Sequence, residues 1–270
     1  MQNGVFEALG LDYVYVAFDV GLGQVEDAVR GLRAMNFRGS NVTTPLKQAV
    51  CPFLDRLTPA AEMAGAANVI VNDDGVLTGH ISDGEGYMMS LADAGVPYVG
   101  KKMTLIGAGG AATAVAIQAA IDGVRALSMF NPRDAFYEGG EKTAAKLRSR
   151  YGCDARMFDL ADLGALRGEL ASSDILTQGT SIGMEATIDQ CVVPDASYLH
   201  SRLVVTDLIY VPLETRLLKM AKSAGNRTLS GLGMQLFQAA PAFKMWTGRD
   251  MPIDIARRLL FGPTSGPENT

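Results

Sequence analysis

A lysine and an aspartate in the first third of the chain have the chemistry to move a proton. Lys47 ends the run Asn-Val-Thr-Thr-Pro-Leu-Lys, and Asp83 stands in the Ser-Asp-Gly-Glu-Gly segment at 82–86. A helix opened by Pro45 would put Lys47 at the positive end of a helix dipole, which favours loss of the ammonium proton. A carboxylate beside such a lysine can orient it and accept a hydrogen bond from a hydroxyl group. The pair indicates acid–base chemistry on a hydroxyl-bearing substrate, although each residue alone is more typical of a solvated charge or a turn.

Other polar residues extend this candidate site. Asn68 opens a predicted hairpin and offers both a donor and an acceptor to a second hydroxyl. His80 is an alternative general base, but it ends the same hairpin, and a lone histidine is more often structural. His200 has less support still. We therefore take Lys47 and Asp83 as the stronger candidates.

A glycine-rich turn indicates a nucleotide site further along the chain. It fits the pattern GxGxxA and lies between a predicted buried strand at 103–106 and an alanine-rich helix at 111–122. Such glycines let the backbone approach a pyrophosphate at a helix N-terminus, whereas the alternative is a turn without a ligand. The predicted strand, helix and following strand favour dinucleotide binding. The residues are Gly107, Ala108, Gly109, Gly110, Ala111 and Ala112.

The end of the second strand predicts which dinucleotide is bound. The residues there are Asn131, Pro132, Arg133 and Asp134. A carboxylate at this place bonds the ribose 2′-hydroxyl of NAD, and an arginine accommodates the 2′-phosphate of NADP. We expect NAD, with NADP tolerated if Arg133 turns inward.

The hydrophobic pattern before residue 85 predicts a small α/β domain. Aromatic and β-branched residues alternate at 13–18 as in a strand, and an Asp-Gly pair at 74–75 is typical of a hairpin turn. The predicted elements are a helix at 1–9, strands at 13–18 and 39–42, a helix at 25–35, a helix from Pro45, a hairpin at 68–77 and a helix at 84–94.

After residue 85 the pattern predicts a doubly wound, parallel Rossmann domain. We expect a substrate domain at 1–85, completed by C-terminal helices within 236–262, and a dinucleotide domain at 86–235. The tail from Gly262 is expected to fray. The further predicted elements are strands at 126–130, 174–176 and 203–207 and helices at 212–224, 235–246 and 253–261.

Composition excludes several other classes of protein. The chain has 270 residues, of which 48% are hydrophobic and 20% charged, so it is globular and not disordered. Its net charge of −5 and the absence of a Lys/Arg stripe exclude a nucleic-acid partner. Three separated cysteines predict reduced thiols, and no apolar run is long enough for a membrane span. We expect a cytoplasmic protein, either a monomer or a homodimer, with a small-molecule substrate.

Taken together, the motifs resemble the shikimate dehydrogenase family, nearest its quinate/shikimate dehydrogenase branch. The resemblance runs in family order over nearly the whole chain. It is carried by NVTTPLK (41–47), TPAAEMAGAANVIVNDDG (58–75), SDGEG (82–86), LIGAGGAA (105–112), FNPRD (130–134), DILTQGTSIGM (174–184), DLIYVPLETRLL (207–218) and GLGMQLFQAAPAFKMWTG (231–248).

The resemblance implies an NAD(P)-dependent dehydrogenase that oxidises the ring 3-hydroxyl of shikimate or quinate, with Lys47 and Asp83 as the catalytic pair. It further implies that Thr43, Asn68 and Gln238 bind substrate hydroxyls and that Tyr210 holds the substrate carboxylate. For the dinucleotide it implies the residues from Gly107 to Ala112, then Asn131, Arg133 and Asp134, with Ile209 and Gly231 near the nicotinamide.

Three departures from the family pattern leave alternatives open. Pro132 replaces an arginine of the NADP-dependent members, and Ile81-Ser82-Asp83 replaces Asn-Thr-Asp. No serine precedes Ser40, so the first strand and the Ser-x-Ser segment that grips the substrate carboxylate are not found. A misassigned start, a truncation or true divergence would each explain this. The alternative functions are a dehydrogenase of another cyclic hydroxy acid, such as aminoshikimate, and a catalytically weak NAD-binding paralogue.

Overall fold

The computed structural model describes residues 1–262, and the chain divides into two compact units. The first unit comprises residues 1–86 and the C-terminal segment from Leu236, and the second comprises residues 87–235. The tail predicted to fray beyond Gly262 lies outside the described residues. Within residues 1–262, no helix is long and apolar enough to cross a membrane.

A four-stranded sheet with helices around it forms the N-terminal part of the first unit. Its elements are α1 (Gln2–Ala8), α2 (Val25–Ala34), β1 (Gly39–Asn41), α3 (Leu46–Ala49), β2 (Arg56–Leu57), α4 (Pro59–Ala64), β3 (Val69–Asp73) and β4 (Val76–His80). The strand order is β1-β3-β4-β2, with only the β2–β4 pair parallel. Asp74 and Gly75 turn the hairpin with φ of 53° and 89°, as the Asp-Gly pair predicts.

The strand predicted at 13–18 is wrong. This segment is extended but pairs with no strand of the described chain, and β1 is the edge of its sheet. Asn3 instead satisfies the backbone of Tyr15, with its amide donating to the carbonyl oxygen and its own oxygen accepting from the N–H. Val14 and Phe18 are 77% and 66% exposed. Alternation predicts a strand only where a neighbour supplies hydrogen bonds, and here a side chain supplies them.

The second unit contains a six-stranded parallel sheet with order β10-β9-β8-β5-β6-β7. This order reverses between β5 and β8, which is the doubly wound arrangement predicted from the sequence. Helix α5 (Asp83–Asp93) begins in the last residues of the first unit and continues into the second. The other elements of the second unit are β5 (Lys102–Ile106), α6 (Gly110–Ile121), β6 (Ala126–Asn131), α7 (Tyr137–Tyr151), β7 (Asp154–Asp159), α8 (Leu163–Ala171), β8 (Ile175–Gln178), β9 (Val204–Asp207), α9 (Arg216–Ser223) and β10 (Thr228–Leu229).

Four of these elements, α7, β7, α8 and the two-residue strand β10, were not predicted from the sequence. Helix α7 contains two glycines, and β7 mixes charged with apolar residues, so neither shows a clean period. Helix α8 is short. Helix α9 begins at Arg216 and not at 212, because the hydroxyl of Thr215 accepts from the Leu218 N–H and so caps the helix there.

Three helices follow β10 where two were predicted. They are α10 (Leu232–Phe237), α11 (Ala239–Thr247) and α12 (Ile253–Phe261). The predicted helix at 235–246 is interrupted at Gln238, because Pro241 has no N–H and its ring clashes with a helical carbonyl four residues earlier.

Helix α11 fixes the position of Gln238 by packing on the sheet of the first unit. Val69 and Val71 on β3 contact Ala242 and Trp246, and the Trp246 indole N–H donates to the carbonyl oxygen of Ile70 at 3.0 Å. A Cβ at Gly39 would collide with this indole ring. Residues on the opposite face of the sheet pack against α2. The sheet is therefore covered on both faces, and α11 is held close to its backbone.

Candidate active site

The structure brings Lys47 and Asp83 together in the first unit. The Lys47 ammonium donates to Asp83 Oδ2 at 2.7 Å. The lysine side chain is 20% exposed and the aspartate side chain 2%. Only one of the three ammonium hydrogens is needed for this bond, which leaves two for other acceptors. The pair thus has a buried anchor, Asp83, and a partly accessible proton donor, Lys47.

Asn68 donates a hydrogen bond to the second oxygen of the Asp83 carboxylate. Its amide nitrogen donates to Asp83 Oδ1 at 3.1 Å and to Ser82 Oγ at 3.1 Å, while its oxygen accepts from the Ser82 N–H at 2.8 Å. These bonds use both amide hydrogens, so the 3.5 Å contact to Gln238 Oε1 is secondary. The side-chain oxygen of Gln238 therefore remains available as an acceptor.

Ser82 is a positioning residue that the sequence does not single out. Its hydroxyl donates to the Gln238 carbonyl oxygen at 2.9 Å and accepts from Asn68, which links the hairpin to the start of α11. Gly86 makes this approach possible, because a Cβ there would collide with the backbone of Gln238. Only its place beside Asp83 in the Ser-Asp-Gly-Glu-Gly segment could have drawn attention to Ser82.

The helix-dipole argument for Lys47 does not hold. Helix α3 has only four residues, and Pro45 lies just before its first residue. Too few peptide dipoles are aligned to act on Lys47, whose charged partner is Asp83. The backbone of Lys47 is fixed beside Asn68, because the Lys47 carbonyl oxygen accepts from the N–H of the neighbouring Ala67.

His80 is bonded to Asn68 through the backbone, and Thr43 lies in the chain segment just before Lys47. The His80 carbonyl oxygen accepts from the Asn68 N–H, and burial lowers the pKa of the His80 imidazole. Thr43 is exposed in the loop before α3, where its carbonyl oxygen accepts from the Leu46 N–H. His200 lies in the second unit, and its ring contacts the carbonyl oxygen of Ser173.

The glycine-rich turn in the second unit follows β5 and opens α6. Gly107 has φ of 123°, and a Cβ there would collide with the backbone of Gly179 after β8. By contrast, a Cβ at Gly109 or Gly110 would meet nothing within 4 Å. Gly107 is thus needed for close packing, while open space faces the first turn of α6. In dinucleotide-binding turns, such space is where the backbone approaches a pyrophosphate.

Asn131 connects this turn to the end of β6. Its side-chain oxygen accepts from the Ala108 N–H at 3.1 Å, and its amide donates to Asp134 Oδ1 at 2.8 Å. Asp134 Oδ1 also accepts from the Phe136 N–H at 2.8 Å. Arg133 is held by Asp159, because its Nε pairs with Asp159 Oδ2 at 2.9 Å. Asp159, at the end of β7, is a charged neighbour that the sequence did not reveal.

The loop after β9 holds Ile209 and Tyr210, and Gly231 follows β10. Ile209 is buried and Tyr210 is 43% exposed. The Gly231 N–H donates to the Ile209 carbonyl oxygen at 3.0 Å, and a Cβ on Gly231 would collide with Leu208. Asp207 Oδ1 accepts from the Ile209 N–H at 2.9 Å. Hydrogen bonds therefore hold the backbone of Ile209 to both Asp207 and Gly231.

Comparison with known proteins identifies the group to which this arrangement belongs. The model of the shikimate dehydrogenase substrate binding domain matches residues 1–70, and that of the shikimate 5′-dehydrogenase C-terminal domain matches residues 231–261. A shikimate dehydrogenase (NADP(+)) of Listeria monocytogenes is 51% identical over 261 residues, which are 97% of this chain and 90% of the relative. The chain belongs to the shikimate dehydrogenase family.

Solved structures of family members confirm the predicted fold. The crystal structure of shikimate 5-dehydrogenase from Listeria monocytogenes, in complex with shikimate and NAD, is 51% identical with a TM-score of 0.92. The match covers 96% of this chain and 90% of that one. Quinate dehydrogenase from Corynebacterium glutamicum, in complex with NAD, is 27% identical with a TM-score of 0.82, covering 97% and 92%. The resemblance stated from the motifs is therefore confirmed.

Proposed function

We propose that this member of the shikimate dehydrogenase family catalyses the reversible, NAD(P)-dependent oxidation of the ring 3-hydroxyl of shikimate or quinate. The observation that carries the proposal is the 2.7 Å pair between Lys47 and the buried Asp83, with Asn68 on the second carboxylate oxygen. The 51% identical relative and the shikimate-bound neighbour support the choice of substrate. Most residues assigned to the substrate belong to the first unit, and those assigned to the dinucleotide belong to the second.

Lys47 would exchange the hydroxyl proton. Its two hydrogens not used by Asp83 can hold a substrate oxygen, and a partly exposed ammonium can pass a proton on to water. Asp83 holds the lysine in place and stabilises the charge that forms on it when it takes a proton. Asn68, oriented by Ser82, keeps the carboxylate from rotating. Thr43 and Gln238 would bind further hydroxyls and Tyr210 the carboxylate.

The second unit fits a nicotinamide dinucleotide. When bound, the dinucleotide supplies the hydride acceptor or donor. The open space at Gly109 and Gly110 would take the pyrophosphate, and Asn131 holds the backbone of Ala108 in position for it. Ile209 and Gly231 would lie near the nicotinamide.

We further propose that NAD is preferred and NADP tolerated. Asp134 has one carboxylate oxygen committed to the turn, so the other can accept from a ribose hydroxyl. Arg133 is already paired with Asp159. The cytoplasmic location and the oligomeric state, monomer or homodimer, stay predictions.

Steady-state oxidation of shikimate and of quinate, each with NAD and with NADP, tests the proposal. Lys47→Ala should lower kcat by about 100-fold or more, because it removes the proton-transfer group. Lys142→Ala is the matched control, since Lys142 forms an exposed pair with Glu138 on α7. It removes the same charge and should leave both kcat and KM unchanged.

Two results would count against the proposal. Unchanged turnover in Lys47→Ala would exclude the lysine from proton transfer. Wild-type protein that binds NAD but oxidises neither acid would favour another cyclic hydroxy acid or a catalytically weak paralogue. Adding aminoshikimate to the substrate panel separates those two.

A further inference from the structure

A charge pair at the carboxyl edge of the parallel sheet lies where the adenosine ribose would bind. Asn131 and Asp159 are opposite each other in the register of β6 and β7, so the side chains that follow these strands share one edge. Arg133 Nε donates to Asp159 Oδ2 at 2.9 Å, and its guanidinium carbon lies 4.7 Å from the centre of the Tyr137 ring. Asp159 Oδ1 accepts from the Ala161 N–H at 2.9 Å.

These contacts fix Arg133 by two independent interactions. The ion pair uses Nε, and the planar guanidinium contacts the aromatic face of Tyr137. Although the arginine side chain is 69% exposed, Asp159 is only 26% exposed and is itself held by a backbone N–H. The anchor of the pair is therefore Asp159.

We propose that Asp159 sets the dinucleotide selectivity of this chain by holding Arg133 on Tyr137 and neutralising its charge. This inference rests on the proposed dinucleotide-dependent function and adds a positioning residue to it. A 2′-phosphate brings an added charge of about −2 near neutral pH, and it is accommodated by an arginine whose charge is not already paired. With Arg133 paired, the edge offers a 2′-phosphate the carboxylates of Asp134 and Asp159 and little net positive charge. A 2′-hydroxyl can donate to either carboxylate, which suits NAD.

Direct binding of NAD and NADP to the whole protein, measured by titration calorimetry, tests this inference. Asp159→Asn keeps the acceptor for Ala161 and removes the charge. It should tighten NADP binding by about 5-fold, the scale of one exposed charge pair, and leave the Kd for NAD nearly unchanged. The selectivity ratio is the decisive readout, since a purely structural role would weaken both dinucleotides alike.

A double-mutant cycle separates action through Arg133 from direct repulsion. In the Arg133→Ala background, Asp159→Asn should no longer improve NADP binding, because no guanidinium is left to release. Asp154→Asn is the matched control, since Asp154 forms an exposed ion pair with Arg156 at the start of the same strand. It removes an equal charge and should not move the ratio.

The outcomes distinguish the two proposals. If neither dinucleotide binds to the wild type, the proposed function fails. If both bind and Asp159→Asn leaves their ratio unchanged, or if its gain persists without Arg133, only the role assigned to Asp159 is overturned.

Discussion

Asp207 allows a test of how burial controls a carboxyl group beside the candidate nicotinamide loop. It ends β9, is 2% exposed, and accepts hydrogen bonds from the Ile209 N–H at 2.9 Å and the Thr215 hydroxyl at 2.7 Å. Burial raises the pKa of Asp207 to about 7, and the two hydrogen bonds only partly oppose this. The perturbation is Asp207→Asn, which keeps the shape and removes the ionisation.

The sign and size of the effect follow from proton linkage. The pKa of Asp207 is higher in the folded chain than its ordinary value of 3.8, so the folded state binds the proton more tightly. Its contribution to stability is complete below about pH 4 and is lost as the pH rises through 7. A difference of about three pH units, at about 1.4 kcal/mol each, is worth about 4 kcal/mol, of which about 3 kcal/mol falls between pH 4.5 and 8.5.

The effect of Asp207→Asn on the free energy of unfolding should therefore depend on pH. At pH 4.5 the asparagine can accept from Ile209 and donate to Thr215, so its free energy of unfolding should lie within about 1 kcal/mol of the wild type. At pH 8.5 the variant should be more stable than the wild type by about 2–3 kcal/mol, because it buries no charge.

Urea unfolding at several pH values measures this difference. Circular dichroism follows both units, and the fluorescence of Trp246, the single tryptophan, follows the first unit separately. Asp195→Asn is the control, because its exposed carboxyl accepts bonds from Ser197 that hold its pKa below the ordinary value. Its difference from wild type should stay constant over this range. A constant difference for Asp207→Asn as well would refute the reasoning and show that Asp207 is ionised when folded.

Three substitutions test packing at the two candidate sites and in the interior of the second unit. Gly86→Ala should lower the free energy of unfolding by about 1–3 kcal/mol and weaken shikimate binding, because its Cβ displaces Gln238. The control Gly139→Ala, in open space on α7, should raise the free energy of unfolding by about 1 kcal/mol. Urea unfolding measures the stability of both variants, and KM measures their shikimate binding. Gly109→Ala should lower the stability of the free protein by no more than about 1 kcal/mol, because alanine is a poorer N-cap of α6 than glycine, but should weaken NAD binding by about 10-fold. Equal affinity would contradict a pyrophosphate there. Tyr87→Phe should lower the free energy of unfolding by about 1–2 kcal/mol, because the buried Tyr87 hydroxyl contacts two threonine hydroxyls. An unchanged free energy in urea unfolding would show that the two threonine hydroxyls satisfy each other.

The sequence predicts best the features whose cause is local. The Asp74-Gly75 turn needs two positive φ angles, and the run from Gly107 packs a strand against a helix, so both leave a short, specific pattern. Lys47, Asn68 and Asp83 fall in such patterns too, and the structure brings them into one hydrogen-bonded group.

Features that depend on distant partners escape this reasoning. The strand predicted at 13–18 needs a neighbour that sequence periodicity cannot supply, and its hydrogen bonds come from Asn3. Asp159 and Arg133 are 26 residues apart and meet only through the register of β6 and β7. The link from Ser82 to Gln238 spans 156 residues and requires Gly86. None of these contacts leaves a signal at either residue alone.

The Ile-Ser-Asp run at 81–83 changes the candidate site less than its departure from the family's Asn-Thr-Asp implies. Ile81 is 8% exposed and replaces a polar side chain with an apolar one, but the bonds that orient Asn68 come from the next two residues. Ser82 keeps a hydroxyl, which accepts from Asn68 and donates to Gln238, and Asp83 keeps both carboxylate oxygens occupied. Because every hydrogen of the Asn68 amide is satisfied without residue 81, the pair of Lys47 and Asp83 is held independently of it. Any change in substrate preference caused by Ile81 would then act on the ligand itself and leave the geometry of Lys47 and Asp83 intact.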